Sequence, residues 1–133
     1  MKNLNAAHQQ HKFLPDQILY LVGDVNYSTV YSLDGEKILS SRTLKWYADR
    51  WPRFIRVHKA HLVNPEHIYS CIVVSSIQAH LIMRNGARLT IGRRRILEVA
   101  NLLGIVLPFQ SFNSTHVIKP EWSAFVPAQI WVA

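Results

Sequence analysis

Arginine is the side chain whose numbers and spacing could do the most chemistry in this 133-residue chain, and it is unevenly placed. Between residues 42 and 59, Arg42, Lys45, Arg50, Arg53, Arg56 and Lys59 face the single acid Asp49, a local net charge of +5. Residues 84–95 add Arg84, Arg88, Arg93, Arg94 and Arg95 with no acid among them. The remainder carries four basic and seven acidic side chains, so the whole excess behind the formal +7 lies in these two segments. A solvated mixed face would intersperse the signs. Two segregated basic stretches instead favour a polyanion, nucleic acid before an anionic membrane surface. An arginine fork can bond O6 and N7 of a guanine together, whereas lysine is a point charge suited to phosphate.

Other constellations are weaker. His58 and His61 have a His-x-x-His spacing with His67 nearby, but their segment reads as strand and loop, and no cysteine or convergent carboxylate completes a metal shell. The single cysteine, Cys71, excludes an intrachain disulfide, and its apolar surroundings at 68–74 make it a small core residue rather than a nucleophile. The serines have no elbow or triad context, and there is no glycine-rich phosphate loop. We therefore expect no enzyme, no cofactor, no metal and no small-molecule substrate. RNA is the nearer rival, since a basic surface binds any phosphate backbone. Trp46, Tyr47 and Trp51, however, fit a helix packed on a sheet better than a base-stacking platform.

The elements that must position these residues follow from pattern. Hydrophobic residues at 49% and charged residues at 17% describe a folded chain, long enough for one domain with tails. The apolar run at 102–109 is far shorter than the roughly 20 residues of a membrane span, and the polar start lacks a signal-peptide layout, so we expect a soluble, cytoplasmic protein with no membrane partner. Residues 1–15 read as a flexible tail. Strands are expected at 18–22, 27–33 and 37–40, the last two joined by a type I′ turn at Asp34-Gly35, and again at 77–84 and 87–91 around Asn85-Gly86. In that second hairpin Ala79, Leu81, Met83, Leu89 and Ile91 alternate with Gln78, His80, Arg88 and Thr90. Short strands at 54–57 and 62–63 and a buried one at 68–74 lie between. Thr43 caps a helix through Trp51 that Pro52 stops, and a second helix runs from about Arg93 to Leu103 before Gly104.

Residues 54–64, Phe-Ile-Arg-Val-His-Lys-Ala-His-Leu-Val-Asn, resemble the central motif of the LytTR DNA-binding domain family. The Ile-Leu-Tyr-Leu strand at 18–21, the Asp-Gly hairpin, Thr-Leu before the first helix, Ile68, and Asn-Gly followed by Leu-Thr-Ile-Gly-Arg-Arg at 89–94 extend the resemblance over residues 16–103. It implies a bacterial transcription regulator or response-regulator output domain. The fold it implies is mostly β, an elongated set of small antiparallel sheets with two short helices, reading double-stranded DNA through loops, as two copies on direct repeats. The family's contact positions fall here on Asn26 and Tyr27, on Lys59, and on Arg93. His58 stands at the family's near-constant histidine, and Arg56, Arg94 and Arg95 complete the candidate set. Gly92 replaces the usual serine or other small residue, which removes a hydroxyl but lets the backbone approach DNA closely. Along a helix Arg94 and Arg95 would point about 100° and 200° away from Arg93, so at most one shares its face.

Residues 105–133 hold only Lys119 and Glu121 as charges, with Phe109, Phe112, Trp122, Phe125, Ile130 and Trp131. Such a segment must pack on its own domain, on a second copy as a homodimer, or on another protein, and the last case is the rival function: an interaction module acting through its apolar extension. Leaving two tryptophans in water would forfeit several kcal/mol at roughly 25 cal/mol per Å². We expect slow amide exchange within residues 115–133 of the intact protein. Fast exchange throughout, at monomer and dimer concentrations alike, would show the extension unpacked.

Overall fold

The computed structural model describes residues 13–106 and 114–121. The chain divides into two compact units, Met1–Asn64 and Pro65–Ala133. In the first, β1 (Ile18–Asp24), β2 (Tyr27–Ser32), β3 (Lys37–Ser40), β4 (Ile55–His58) and β5 (His61–Val63) form an antiparallel sheet of order β3-β2-β1-β5-β4. Helix α1 (Leu44–Arg50) closes one face of it. Thr43 caps the helix, its hydroxyl accepting from the Trp46 amide at 3.1 Å. Leu44 and Tyr47 then turn inward to join Ile18, Leu21, Val30, Phe54 and Leu62 in the core. Phe13 packs edge-on against Tyr47 and Trp51, so the packed chain begins no later than Phe13, ahead of the boundary expected at residue 16.

Buried polar groups in this unit are satisfied, as burial demands. The Asn64 amide group donates to the carbonyls of Pro15 and Ile18 at 3.1 and 3.0 Å, fixing the entry of β1. The Ser40 and Tyr47 hydroxyls share a buried hydrogen bond of 2.6 Å, and the Ser28 hydroxyl donates to the Arg42 carbonyl at 2.7 Å. Together these bonds fasten the β3–α1 connection to the sheet.

In the second unit, β6 (Ile68–Ser75), β7 (Gln78–Met83), β8 (Arg88–Ile91) and β9 (Ser114–Val117) form a sheet of order β8-β7-β6-β9. Register places Cys71, Leu81 and Leu89 in one cross-strand row and Val73, Ala79 and Ile91 in the next, all buried, as the alternation predicts. Ile82 departs from that pattern: it is buried on the opposite face with Tyr69 and Ile72. A 3₁₀ turn, Arg93–Arg95, opens helix α2 (Ile96–Leu102). The helix ends as expected at Gly104, φ +75°, where the Ile105 amide donates to the Ala100 carbonyl and the Gly104 amide to that of Asn101, a complete Schellman closure.

Three sequence expectations change. Neither glycine hairpin is type I′, because only Gly35 (φ +94°) and Gly86 (φ +91°) take positive φ, not the residue before each. Ser32 donates to Glu36 and Met83 to Ala87, so each loop has three residues ending in a left-handed glycine. The Asp34 and Asn85 side chains accept from the amides of Glu36 and Ala87, which explains Asx residues there without positive φ. Second, the three arginines sit on a 3₁₀ turn, so they fan out at about 120° apart rather than along an α-helix. Third, the sequence reading has no strand beyond Gly104, yet β9 pairs along the outer edge of β6 with Val117 opposite Ser70 and Ser114 opposite Val73. A strand buried over six consecutive residues needs a partner on both edges, and that tertiary demand outweighs the weak signal of Ser-Thr-His-Val. Trp122, Trp131 and the rest of residues 122–133 lie outside the described residues.

Cys71 is 1% exposed, and burial pushes its thiol up to about 11. At pH 7 to 8 it is protonated and shielded. A thiol-reactive probe should therefore label the native protein only at the rate of unfolding, and rapid labelling without denaturant would contradict this packing.

Candidate nucleic-acid interface

The first unit gathers Asn26, Tyr27, Arg56, His58 and Lys59 around two adjacent loop tips. Asp24 pairs with Tyr27, so β1 and β2 are joined by Val25 and Asn26 alone. Tyr27 opens β2 half exposed, at 51%. The other tip, Lys59-Ala60 between β4 and β5, is fastened to the end of β1 by the Gly23 amide, which donates to the Ala60 carbonyl at 2.8 Å.

That second tip is built by its own side chains. The Arg56 guanidinium donates through Nε to the His58 carbonyl at 3.2 Å and through Nη2 to the Lys59 carbonyl at 2.7 Å. His58 Nδ1 accepts from the Ala60 amide at 3.0 Å, and its ring lies 4.8 Å from that of His61. Arg56 through Nε and Nη2, and His58 through Nδ1, thus bond the loop backbone, where they hold Lys59 in place. Nδ1 can accept only while it carries no proton, which fixes neutral His58 as the Nε2–H tautomer. Among the described residues no group of three or more His, Cys, Asp and Glu is gathered as a metal site would require.

Between the tips and the start of α1 lies an open cleft of about 470 Å³. Gly23 and Val25 line it on one side, Leu44 and Lys45 on another, and Arg56 and Lys59 on the third. Gly23 makes the approach possible, since a Cβ there would stand 2.6 Å from Leu44 Cγ. Three cationic side chains and one acid, Asp24, border the cleft, so its net positive charge suits an anion.

Arg93, Arg94 and Arg95 lie in the second unit, on the turn where the Arg95 amide donates to the Gly92 carbonyl at 2.8 Å. Cations at the start of a helix oppose its dipole, at about 0.3 to 1 kcal/mol each when exposed. Helix stability alone does not account for three of them. Two exposed cations that the candidate set omits are Arg42 and Arg50. Their guanidiniums lie 4.5 and 4.2 Å from the centre of the Trp46 ring. The signal available in the sequence was the Trp-x₃-Arg spacing, which puts Trp46 and Arg50 on one helix face, with Arg42 just ahead of the Thr43 cap.

Basic loops projecting from small antiparallel sheets, with no long helix among the described residues to lie in a groove, define a class of strand-built nucleic-acid-binding domain. Comparison with known proteins makes it specific. Residues 8–104 match the family model of the LytTr DNA-binding domain, and the chain belongs to that family. The transcriptional regulatory protein BtsR of Salmonella typhi is 27% identical over 90 residues, which are 68% of this chain and 37% of that protein. The protein of the same name from Escherichia coli strain K12 is 30% identical over 76 residues, 57% of this chain and 31% of its own length. The chain thus spans about a third of the curated relatives it matches. The solved LytTr DNA-binding domain of a methyl-accepting/DNA response regulator from Bacillus cereus shares the fold, with a TM-score of 0.61 at 22% identity over 70% of this chain and 86% of that one. No helix among the described residues is long and apolar enough to cross a membrane.

Val25 sits at φ +55° and is 87% exposed. The left-handed region costs a residue with a Cβ about 1 to 2 kcal/mol, more for a β-branched one. Val25→Gly loses almost no packing, so it should stabilise the protein by about 0.5 to 1 kcal/mol after the added chain entropy of glycine. Urea unfolding measures this, and a lowered midpoint would show that the turn is not under strain.

Proposed function

We propose that this domain binds double-stranded DNA sequence-specifically and regulates transcription, as the output domain of a regulator. Membership of a DNA-binding family carries the reading, and the relatives named as transcriptional regulatory proteins support its second half. Arg93 serves as a base-reading fork and Lys59 as a phosphate contact, with Asn26 and Tyr27 at the neighbouring tip. Tyr27 can donate a hydrogen bond or pack on a thymine methyl. Arg56 and His58 contribute by holding the Lys59 loop, and the fan of the 3₁₀ turn turns Arg94 and Arg95 away from Arg93, toward phosphate or solvent. Two copies occupy direct repeats. The extension at 105–133 packs on its own domain or across a homodimer, and the pairing of β9 with β6 supports the packing role.

Selection from random duplexes should yield an enriched repeated sequence. Tighter binding to single strands or RNA, with no enriched duplex, would overturn the proposal. On the selected site, Arg93→Ala should lose sequence preference as well as affinity, by roughly 1 to 3 kcal/mol. Lys59→Ala should weaken all sequences alike and reduce the salt slope by about one. Equal losses on selected and random DNA for Arg93→Ala would remove it from the base-reading role.

A further inference from the structure

The basic segment at 42–59 does not present its charges equally. Lys45 is paired with Asp49 at 3.0 Å, Arg53 with Asp16 at 3.1 Å, and Arg56 is turned onto loop carbonyls. Arg42 and Arg50 are both exposed, and neither makes an ion pair with a described carboxylate. Both guanidiniums instead lie over one tryptophan ring, 4.5 and 4.2 Å from its centre, so the two charges are at most 8.7 Å apart, the sum of those distances. Two like charges held this close repel each other. The ring quadrupole offsets part of that repulsion, and anionic groups bonded to the two guanidiniums would offset more of it.

The arrangement is held from beneath. The Arg42 carbonyl accepts from the Ser28 hydroxyl and its amide donates to Ser40 Oγ at 3.2 Å, which fixes the backbone from which the guanidinium projects. Trp46 packs edge-on against buried Tyr47 at 4.9 Å, which fixes the ring. Little side-chain entropy is therefore left to lose when the guanidinium edges bond a ligand. A guanidinium held over a ring by cation–π attraction still has N–H groups to offer phosphate or carboxylate oxygens.

We propose that Arg42 and Arg50, held over the Trp46 ring, form a guanidinium clamp that grips DNA backbone phosphates flanking the bases read by the loops. This rests on the DNA-binding reading given above. Phosphate is favoured over an acidic protein by continuity: Arg42 adjoins Thr43, which lines the same cleft as Lys45 and Lys59, so the clamp begins where the loop cluster ends and runs along α1 from there. The clamp carries no base information. Its contribution is affinity and orientation, which are sequence-independent.

The test uses the full chain, the duplex it selects and a random duplex of equal length, each titrated across salt concentrations. Arg42→Gln/Arg50→Gln should weaken binding to both duplexes by a similar factor and reduce the slope of log K against log salt by about two, since each phosphate contact contributes about 0.9. Each single variant should remove about one. Arg42→Lys/Arg50→Lys, which keeps the charge and loses the fork, should retain most of the slope with weaker affinity, and unchanged thermal unfolding of either double variant separates the effect from misfolding. Wild-type affinity and slope in the glutamine variant would overturn the clamp, and loss confined to the selected duplex would overturn its sequence-independent role. Failure of the unmutated protein to bind any duplex would instead overturn the DNA-binding reading itself.

Discussion

A Cβ at position 23 would stand 2.6 Å from Leu44 Cγ, and the first unit is organised around that close approach. Leu44 is the first residue of α1 and belongs to the core with Leu21 and Leu62, so it cannot yield much without opening a void. Because Gly23 lets the helix start come this near β1, α1 lies close on the sheet, and its first turn shares a cleft with the two loop tips. The amide of the same glycine ties the Lys59-Ala60 tip to β1. One small residue thus sets both the packing of the helix and the placement of the cationic loop.

Around this contact the polar groups divide into two kinds. Asn64, Ser28, Ser40, Arg56 and His58 are spent on backbone or on one another, and they make loops rigid that would otherwise be loose. Lys59, Arg42 and Arg50 are left facing outward without an ion pair to a described carboxylate. A protein that only needed solubility would gain from interspersed acids on such a face. Keeping cations unneutralised and pre-oriented costs some stability, which a polyanionic partner returns on binding.

The second unit relies on sheet register rather than on a close approach. Its inward rows are filled by Cys71, Leu81 and Leu89 and by Val73, Ala79 and Ile91. With β9 along the outer edge of β6, this strongly apolar strand is paired on both sides. Arg93 to Arg95 then follow β8 directly, so the backbone that presents them is anchored at one end by a ladder strand and at the other by the Schellman-closed α2.

The sequence by itself determined the strand and helix order up to Gly104, the Thr43 cap, the glycine stop and the two basic segments, because each rests on local chemistry: period-two burial, a hydroxyl before an apolar turn, a left-handed glycine, a count of charges. It also carried the family, through the motif at 54–64. What it could not determine was how a given cation is used. Arg56 and Lys59 are three residues apart in one basic run, yet one bonds loop carbonyls and the other faces out, a distinction that exists only once the β4–β5 turn has formed. Trp46 likewise reads as core from its spacing, and only the folded helix shows two guanidiniums on its ring. The turn type at Asp34-Gly35 and the strand at Ser114–Val117 were decided the same way, by hydrogen-bond partners distant in sequence or by an edge needing one. Local pattern specifies which conformations a segment prefers. Tertiary structure specifies which polar groups find partners and which are left for a ligand.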